Sequence, residues 1–350
     1  MPILDMKRKT FTIVLFSFFS VTPIFAAPSK GGTYIDPANV DADYAVQGEY
    51  SGTIDGGKAG GHLIALGDGK LDVVGYPGGL PGDGWNGDKS TRIKGKGETK
   101  DGVTTVHMVD GSKGIIKDGV ITILIDEKKV GTLKRIVRKS PTLGAKAPEG
   151  AVILFDGKKH GADLWKGGRM SEDGLLMEGC TSKQTFGDFK IHFEFRTPYK
   201  PKARGQGRGN SGFYAHGRYE VQVLDSFGLE GHHNECGGIY STKAPSMNMC
   251  FPPLTWQTYD VDFTAAKFKD GKKIADAIMT VRHNGVLIHD KTVCDHATTA
   301  SPMREGPQPG PVFSRTTVIR LGFETSGYCL SKLPLKLRGI SEQLMSENAQ

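Results

Sequence analysis

Apolar residues along the chain come in short runs, with no helical period of useful length, and turn residues separate the runs. Between residues 31 and 139 the runs include His62-Leu63-Ile64-Ala65-Leu66, Leu71-Asp72-Val73-Val74, Thr104-Thr105-Val106-His107-Met108 and Val120-Ile121-Thr122-Ile123-Leu124-Ile125. Among the intervening residues are Gly67-Asp68-Gly69, Pro77-Gly78-Gly79, Lys100-Asp101-Gly102 and Lys117-Asp118-Gly119. Glycine and aspartate tolerate the left-handed backbone of tight turns, so this pattern predicts antiparallel strands joined by hairpins. The segment 140–150 carries two Pro and two Gly without periodicity and reads as an exposed linker. Beyond it, apolar and polar residues alternate over 188–196, 218–225, 256–263 and 277–282. Asn284-Gly285 then sits between two such runs, the strongest short hairpin signal. His283, at this turn, reads as a surface residue. The expected fold is all-β: a small N-terminal β domain followed by a β-sandwich of jelly-roll type.

Composition adds a compartment. Met6-Lys7-Arg8-Lys9 gives a basic start, residues 10–25 are largely apolar, and Ala26-Ala27 offers a cleavage site. That run is shorter than the ~20 residues of a comfortable membrane span. Residues 1–26 therefore read as a signal peptide, and the mature chain as exported, periplasmic or extracellular, with no membrane association after cleavage. Part of the net charge of +7 belongs to this leader and part to the C-terminal tail, and no basic run interleaves with aromatics. Nucleic acid is not an expected partner. Five Cys are present without a C-x-x-C pair, which argues against a zinc ribbon. Cys236 and Cys250 are close enough in sequence to bridge after export, or to remain buried thiols.

One segment concentrates chemistry: Gly209-Asn210-Ser211-Gly212-Phe213-Tyr214, followed by 217–225. Residues two apart on a strand share a face. Arg218, Glu220 and Gln222 thus line one face, while Tyr219, Val221 and Val223 take the other. A cation, a carboxylate and an amide in one row suit either a solvated sheet face or a surface that meets a polar ligand.

Residues 154–313 resemble the 3-keto-disaccharide hydrolase family. The matching pieces, in order, begin with Leu154-Phe155-Asp156-Gly157, the strand from Phe189 to Phe195 and the Gly-Asn-Ser-Gly segment at Gly209. The strand from Tyr219 to Asp225, Cys236-Gly237-Gly238-Ile239-Tyr240 and Trp256-Gln257-Thr258-Tyr259 follow. His283-Asn284-Gly285 and Gly310-Pro311-Val312 close the set. The N-terminal region resembles a β region often found ahead of this domain. The resemblance implies a concanavalin-like sandwich and a substrate, a 3-keto-disaccharide or 3-keto-glycoside, supplied by a glycoside 3-dehydrogenase. It also implies a reaction: a ketone at C3 acidifies the C2 proton, a base removes it, the C1 substituent leaves, and water adds.

Such chemistry needs a base of suitable pKa and groups that hold the enolate oxygen. Glu220 is the leading catalytic candidate, with His216 and His233 as rivals. Arg218, Asn210 and Gln222 are candidate oxygen-holding donors. Asp225 has the opposite strand parity and joins them only through a bulge. Tyr240 and Tyr259 are candidates to stack on a sugar, or are core residues. His232, His233 and Glu235, with Glu220 or Asp225, are candidates to hold a divalent ion, or form a solvated loop. No other cofactor is expected. The alternative reading is a non-catalytic, lectin-like carbohydrate-binding module.

The tail departs from the family. After Gly-Pro-Val-Phe the family domain ends in a run close to L-Q-D-H-G-N-P-V-R-F-R-N-I-W-V, none of which follows Phe313. One series of codons encodes that run extended by L-P-V and, read one base later, encodes Ser314 to Ser331 residue for residue. Residues 314–350 are therefore read as the product of a one-base shift after Phe313. The resulting division is 1–26 leader, 31–139 β domain, 140–150 linker, 151–313 hydrolase-like domain and 314–350 tail.

Overall fold

The computed structural model describes residues 32–156, 161–171, 174–177 and 179–315, together with the backbone of 327–331. The leader and most of the tail lie outside the described residues.

Eight strands of the N-terminal half form a closed barrel in which each strand pairs with the next and the last with the first. They are β1 (Gly48–Ile54), β2 (Gly57–Gly67), β3 (Lys70–Pro77), β4 (Ile93–Lys100), β5 (Val103–Met108), β6 (Lys113–Lys117), β7 (Val120–Ile125) and β8 (Lys128–Ile136). Local sequence accounts for the meander. Asp55-Gly56, Asp68-Gly69, Asp101-Gly102 and Asp118-Gly119 each have positive φ at both residues, the turn whose twist matches paired antiparallel strands. Closure comes from pairing of β1 with β8, from Glu49 opposite Ile136 to Ile54 opposite Gly131, which leaves no open edge. Tyr50, Leu63, Leu71, Val73, Val106, Ile121 and Leu133 form the interior.

The C-terminal half consists of two sheets. β9 (Val152–Phe155), β12 (Phe189–Phe195), β15 (Gln257–Thr264), β16 (Ala277–His283), β17 (Val286–Cys294) and β19 (Gly327–Ser331) make the first, in the order β9-β19-β12-β15-β16-β17. β10 (Trp165–Lys166), β11 (Cys180–Phe186), β13 (Ser211–Ala215), β14 (Tyr219–Val223) and β18 (Gly310–Ser314) make the second, in the order β10-β11-β18-β13-β14. Both contribute to one apolar core. Phe193 of the first meets Phe213 of the second at 5.5 Å between centroids, and Phe263 meets Tyr219 at 5.6 Å.

The segment after the barrel is tied down. Ser140 Oγ lies 2.6 Å from Thr258 Oγ1, Thr142 Oγ1 donates to Asp260 Oδ2 at 2.8 Å, and Gly144 N donates to Glu194 Oε1 at 2.5 Å. Barrel and sheets are also joined directly. Arg92 Nη1 pairs with Glu230 at 2.6 Å, and the Tyr199 hydroxyl donates to Asp41 at 2.9 Å. Arg138 pairs with the buried Glu49 and stacks over Phe251 at 4.9 Å. Burial alone would raise the Glu49 pKa, but Arg138 and His62 hold it down to about 2.

One local expectation is corrected. His283 is fully buried, with Nε2 3.0 Å from Gln257 Oε1, because the 249–257 loop folds over its hairpin. Burial lowers its pKa to about 3. Cys236 and Cys250 are buried free thiols rather than a bridge, and Cys294 is a buried free thiol as well.

Candidate active site

The site is built on the pairing of β13 with β14, where Gly212 lies opposite Gln222 and Tyr214 opposite Glu220. These four residues share one face, away from Phe213 and Val221 in the core. Glycine at 212 makes room for the carboxylate: a Cβ there would sit 2.1 Å from Glu220 Oε1. Both faces of β14 are nevertheless buried. Neighbouring loops close the outer edge of β14, where Tyr240 N donates to the Glu220 carbonyl at 3.0 Å and Glu220 N donates to Thr298 Oγ1 at 3.0 Å.

Arg315 Nη1 lies 3.3 Å from Glu220 Oε1 and 3.5 Å from Oε2. Its guanidinium sits 5.8 Å from the Tyr240 ring centroid, and its side chain remains 22% exposed while that of Glu220 is closed off. Arg315 is thus the link between the carboxylate and solvent. With its nitrogen toward Glu220, the Gln222 amide donates to Glu220 Oε1 at 3.1 Å and to the Ser211 carbonyl at 2.5 Å. Burial raises the Glu220 pKa to about 7, with Tyr214 and Arg315 offsetting part of the effect. The Tyr214 hydroxyl is buried without a hydrogen-bond partner of normal geometry, and burial and the adjacent carboxylate push its pKa up. A carboxyl group titrating near neutrality beside a phenol and a guanidinium can take and return a proton next to a developing negative charge.

Residues 150–315 match the model of the 3-keto-alpha-glucoside-1,2-lyase-like domain. The match lies in the C-terminal half, where the resemblance to the 3-keto-disaccharide hydrolase family was found. The match runs two residues past Phe313 and so includes Arg315. Two crystal structures from Parabacteroides distasonis ATCC 8503, each described as a "putative glycosyl hydrolase", are similar to this chain. One is 28% identical with a TM-score of 0.46, covering 53% of this chain and 85% of that one. The other is 19% identical with a TM-score of 0.37, covering 53% of this chain and 95% of that one. Among curated proteins, none matches.

Within this half the residues singled out by sequence fall into groups. Glu220, Gln222 and Tyr240 come together with Arg315. Asn210 adjoins them, its Oδ1 being 3.3 Å from Gln222 Nε2 in the other orientation of that amide. Arg218 points to the 304–308 loop, donating to the Arg304 and Gln308 carbonyls at 2.8 and 3.1 Å. His216 is buried against Phe263 at 4.7 Å, with Nε2 2.9 Å from the Gly187 carbonyl, and burial lowers its pKa. Asp225, on the loop that follows β14, is fully buried and held at 2.6 Å by Arg208, which precedes β13. Tyr259 is fully buried in the core, and its hydroxyl donates to the Gln222 carbonyl at 2.6 Å. Its ring is therefore closed to a sugar, although it braces β14 from behind.

His232 and His233 are exposed. Glu235 Oε2 accepts from Gly231 N and His232 N at 2.6 and 3.1 Å, closing its own loop. Among the described residues no three His, Cys, Asp or Glu side chains are grouped to hold a metal ion, so no step is routed through one.

Sequence reasoning missed Tyr214 and Arg315. Tyr214 shares the parity of Gly212, but only the register of β13 on β14 puts it opposite Glu220. Arg315 lies where the sequence leaves the family's pattern, and so attracted no role.

Proposed function

We propose that the C-terminal domain cleaves 3-keto-disaccharides or 3-keto-glycosides, with Glu220 as the base, on a concanavalin-like or jelly-roll arrangement of its two sheets. The observation that carries this reading is the buried Glu220 carboxylate, with a pKa near 7, faced by Tyr214 and Arg315. Ionised Glu220 takes the proton from C2 of the sugar. The C2–H electron pair forms a C2–C3 double bond, and the C3 carbonyl becomes an enolate. Arg315 is the donor available to that oxygen, while the Gln222 amide holds the Glu220 carboxylate in place. The enolate then re-forms the ketone and expels the C1 oxygen, which takes a proton from Tyr214 or from protonated Glu220. Addition of water to C1 completes a net hydrolysis. The substrate reaches the domain already oxidised at C3, so a glycoside 3-dehydrogenase acts upstream. The leader takes the reaction to the periplasm or beyond.

The test is turnover of a panel of 3-keto-disaccharides and 3-keto-glycosides, with and without chelator, following reducing-sugar release and enone absorbance. Glu220→Gln is expected to lower turnover by roughly 10²–10⁴-fold, the usual contribution of a general base. A folded wild-type protein that binds these sugars without releasing product would instead make the domain a carbohydrate-binding module.

A further inference from the structure

The barrel contains a cavity of about 400 Å³. Its lining includes Ile54, Val73, Val106, Met108, Ile123 and Leu133, with Lys58, Asp110 and Ser112 the polar members. It occupies the end of the barrel that carries the turns after β1, β5 and β7. The opposite end is filled by Tyr50, Ala65, Leu71 and Ile116, with Tyr44 and Val46 packed against them.

We propose that this cavity is a binding site for one small, uncharged, hydrocarbon-rich molecule, or for the hydrocarbon part of an amphiphile. An eight-stranded barrel is just wide enough to be filled by its own side chains, or to hold one small ligand when they are withheld. Here they are withheld at glycines. Gly57, Gly61 and Gly75 line the cavity, and none has the positive φ that would require glycine. None is forced by crowding either. An added Cβ would meet only Ile54 O at 3.5 Å at position 57, and would come no closer than Leu133 Cδ1 at 3.4 Å at position 61. At position 75 the nearest atom is Ile93 Cβ at 3.5 Å. Contrast Gly52 and Gly131, where a Cβ would lie 2.1–2.2 Å from the backbone of the neighbouring strand. Glycine within a strand costs stability, as does an unfilled apolar cavity. Three glycines that neither conformation nor space demands therefore make a volume, and that volume lies within the roughly 300–1,000 Å³ of small-molecule sites.

The rim supports the same occupant. Ile125 is 42% exposed, and Ile54, Ile93, Met108 and Ile123 are half-buried around the cavity. The cation in the lining is already paired, because Lys58 Nζ is 2.7 Å from Asp83. The Asp110 carboxylate accepts from Ser112 N and Oγ at 3.0 and 2.7 Å. An anionic ligand would find no free cation, whereas an apolar one would cover exposed isoleucine.

The proposal is independent of the chemistry assigned to Glu220. Its test titrates the mature chain with the neutral probe N-phenyl-1-naphthylamine, with decanol and decanoate as competitors. Saturable one-site fluorescence, displaced more strongly by decanol than by decanoate, is expected. Gly61→Val and Gly75→Val should each weaken probe binding at least tenfold while melting at or above the wild-type temperature, whereas Glu220→Gln should bind as wild type. Should both valine variants fail to fold, a diazirine-bearing alkane and peptide mapping replace them, with labels expected on the strands carrying Ile54, Met108 and Ile125. No saturable binding by folded wild type, binding unchanged in folded valine variants, or labels confined to the two-sheet domain would overturn it.

Discussion

At the residue scale, the protein invests in one carboxylate. Burial pushes the Glu220 pKa up to about 7, and the Arg315 cation recovers only part of the lost ionisation. For a base the sign is clear: only the ionised form takes the C2 proton, so kcat/KM should rise with pH through about 7 and level off above it. A flat profile from pH 5 to 8 would remove Glu220 from the role. Stability follows the opposite sign, since a carboxyl with a raised folded pKa contributes fully below its ordinary value and less as pH passes 7. Gly212 makes a second prediction. Alanine there puts a methyl group 2.1 Å from Glu220 Oε1, so the carboxylate must move. Activity should fall roughly 10²-fold or more, as small misplacements of a reacting group do, with folding checked by circular dichroism. Sequence parity placed Glu220 and Gln222 on one face, and the structure keeps them together. It said nothing of which side of the chain the loops would seal, which is why Arg218 and Tyr259 had the same standing as Gln222 until the packing was known.

At the element scale, the segment after the barrel is held by a titratable clamp. His192 on β12 has Nδ1 2.6 Å from Asp260 and Nε2 3.1 Å from Glu194, and Glu194 and Asp260 in turn hold Gly144 and Thr142. Burial disfavours the imidazolium, but the two carboxylates outweigh it and raise the pKa to about 9. This contribution is fully present below the ordinary His value near 6.5 and is lost as pH rises through 9. It amounts to something on the order of 2–3 kcal/mol. The melting temperature should thus drop between pH 7 and 10, and His192→Gln should flatten that drop. An equal drop in the variant would put the alkaline sensitivity elsewhere. The hairpins, by contrast, were legible: Asp-Gly pairs dictate two-residue turns through φ alone, and they recur through the barrel meander. Residues 141–150 are exposed or half-buried, in keeping with their Pro- and Gly-rich composition, but the side-chain bonds from Thr142 and Ser140 to a distant strand leave no local trace.

At the scale of the whole molecule, the tail enters the first sheet of the C-terminal half. The backbone of β19 pairs with β9 and β12, one strand in from the edge of the six-stranded sheet. Resequencing the gene across the Phe313 codon checks the proposed one-base shift: a missing base relative to fresh DNA supports it, and an unchanged reading rejects a sequencing error. Restoring the family frame would put Leu and Gln in place of Ser314 and Arg315. The neutral amide would leave Glu220 without the guanidinium that favours its ionised form, so the pH limb should move above 7 in the restored protein. The barrel and the sheets share Arg138, Tyr199 and Arg92, so the two halves are built as one packed body rather than beads on a linker.

The sequence by itself determined the class of structure and the outline of its chemistry. Period-two alternation and Asp-Gly turns specify antiparallel β structure locally, and the ordered motifs from Leu154 to Val312 carry the hydrolase resemblance. Closure of the barrel, the cavity inside it, the partnership of Tyr214 and Arg315 with Glu220, and the burial that lifts Glu220 toward neutrality were decided only by the tertiary structure. Each depends on register between strands or on which loop covers which face. Those are set by packing among residues far apart in the chain, and no local pattern records them.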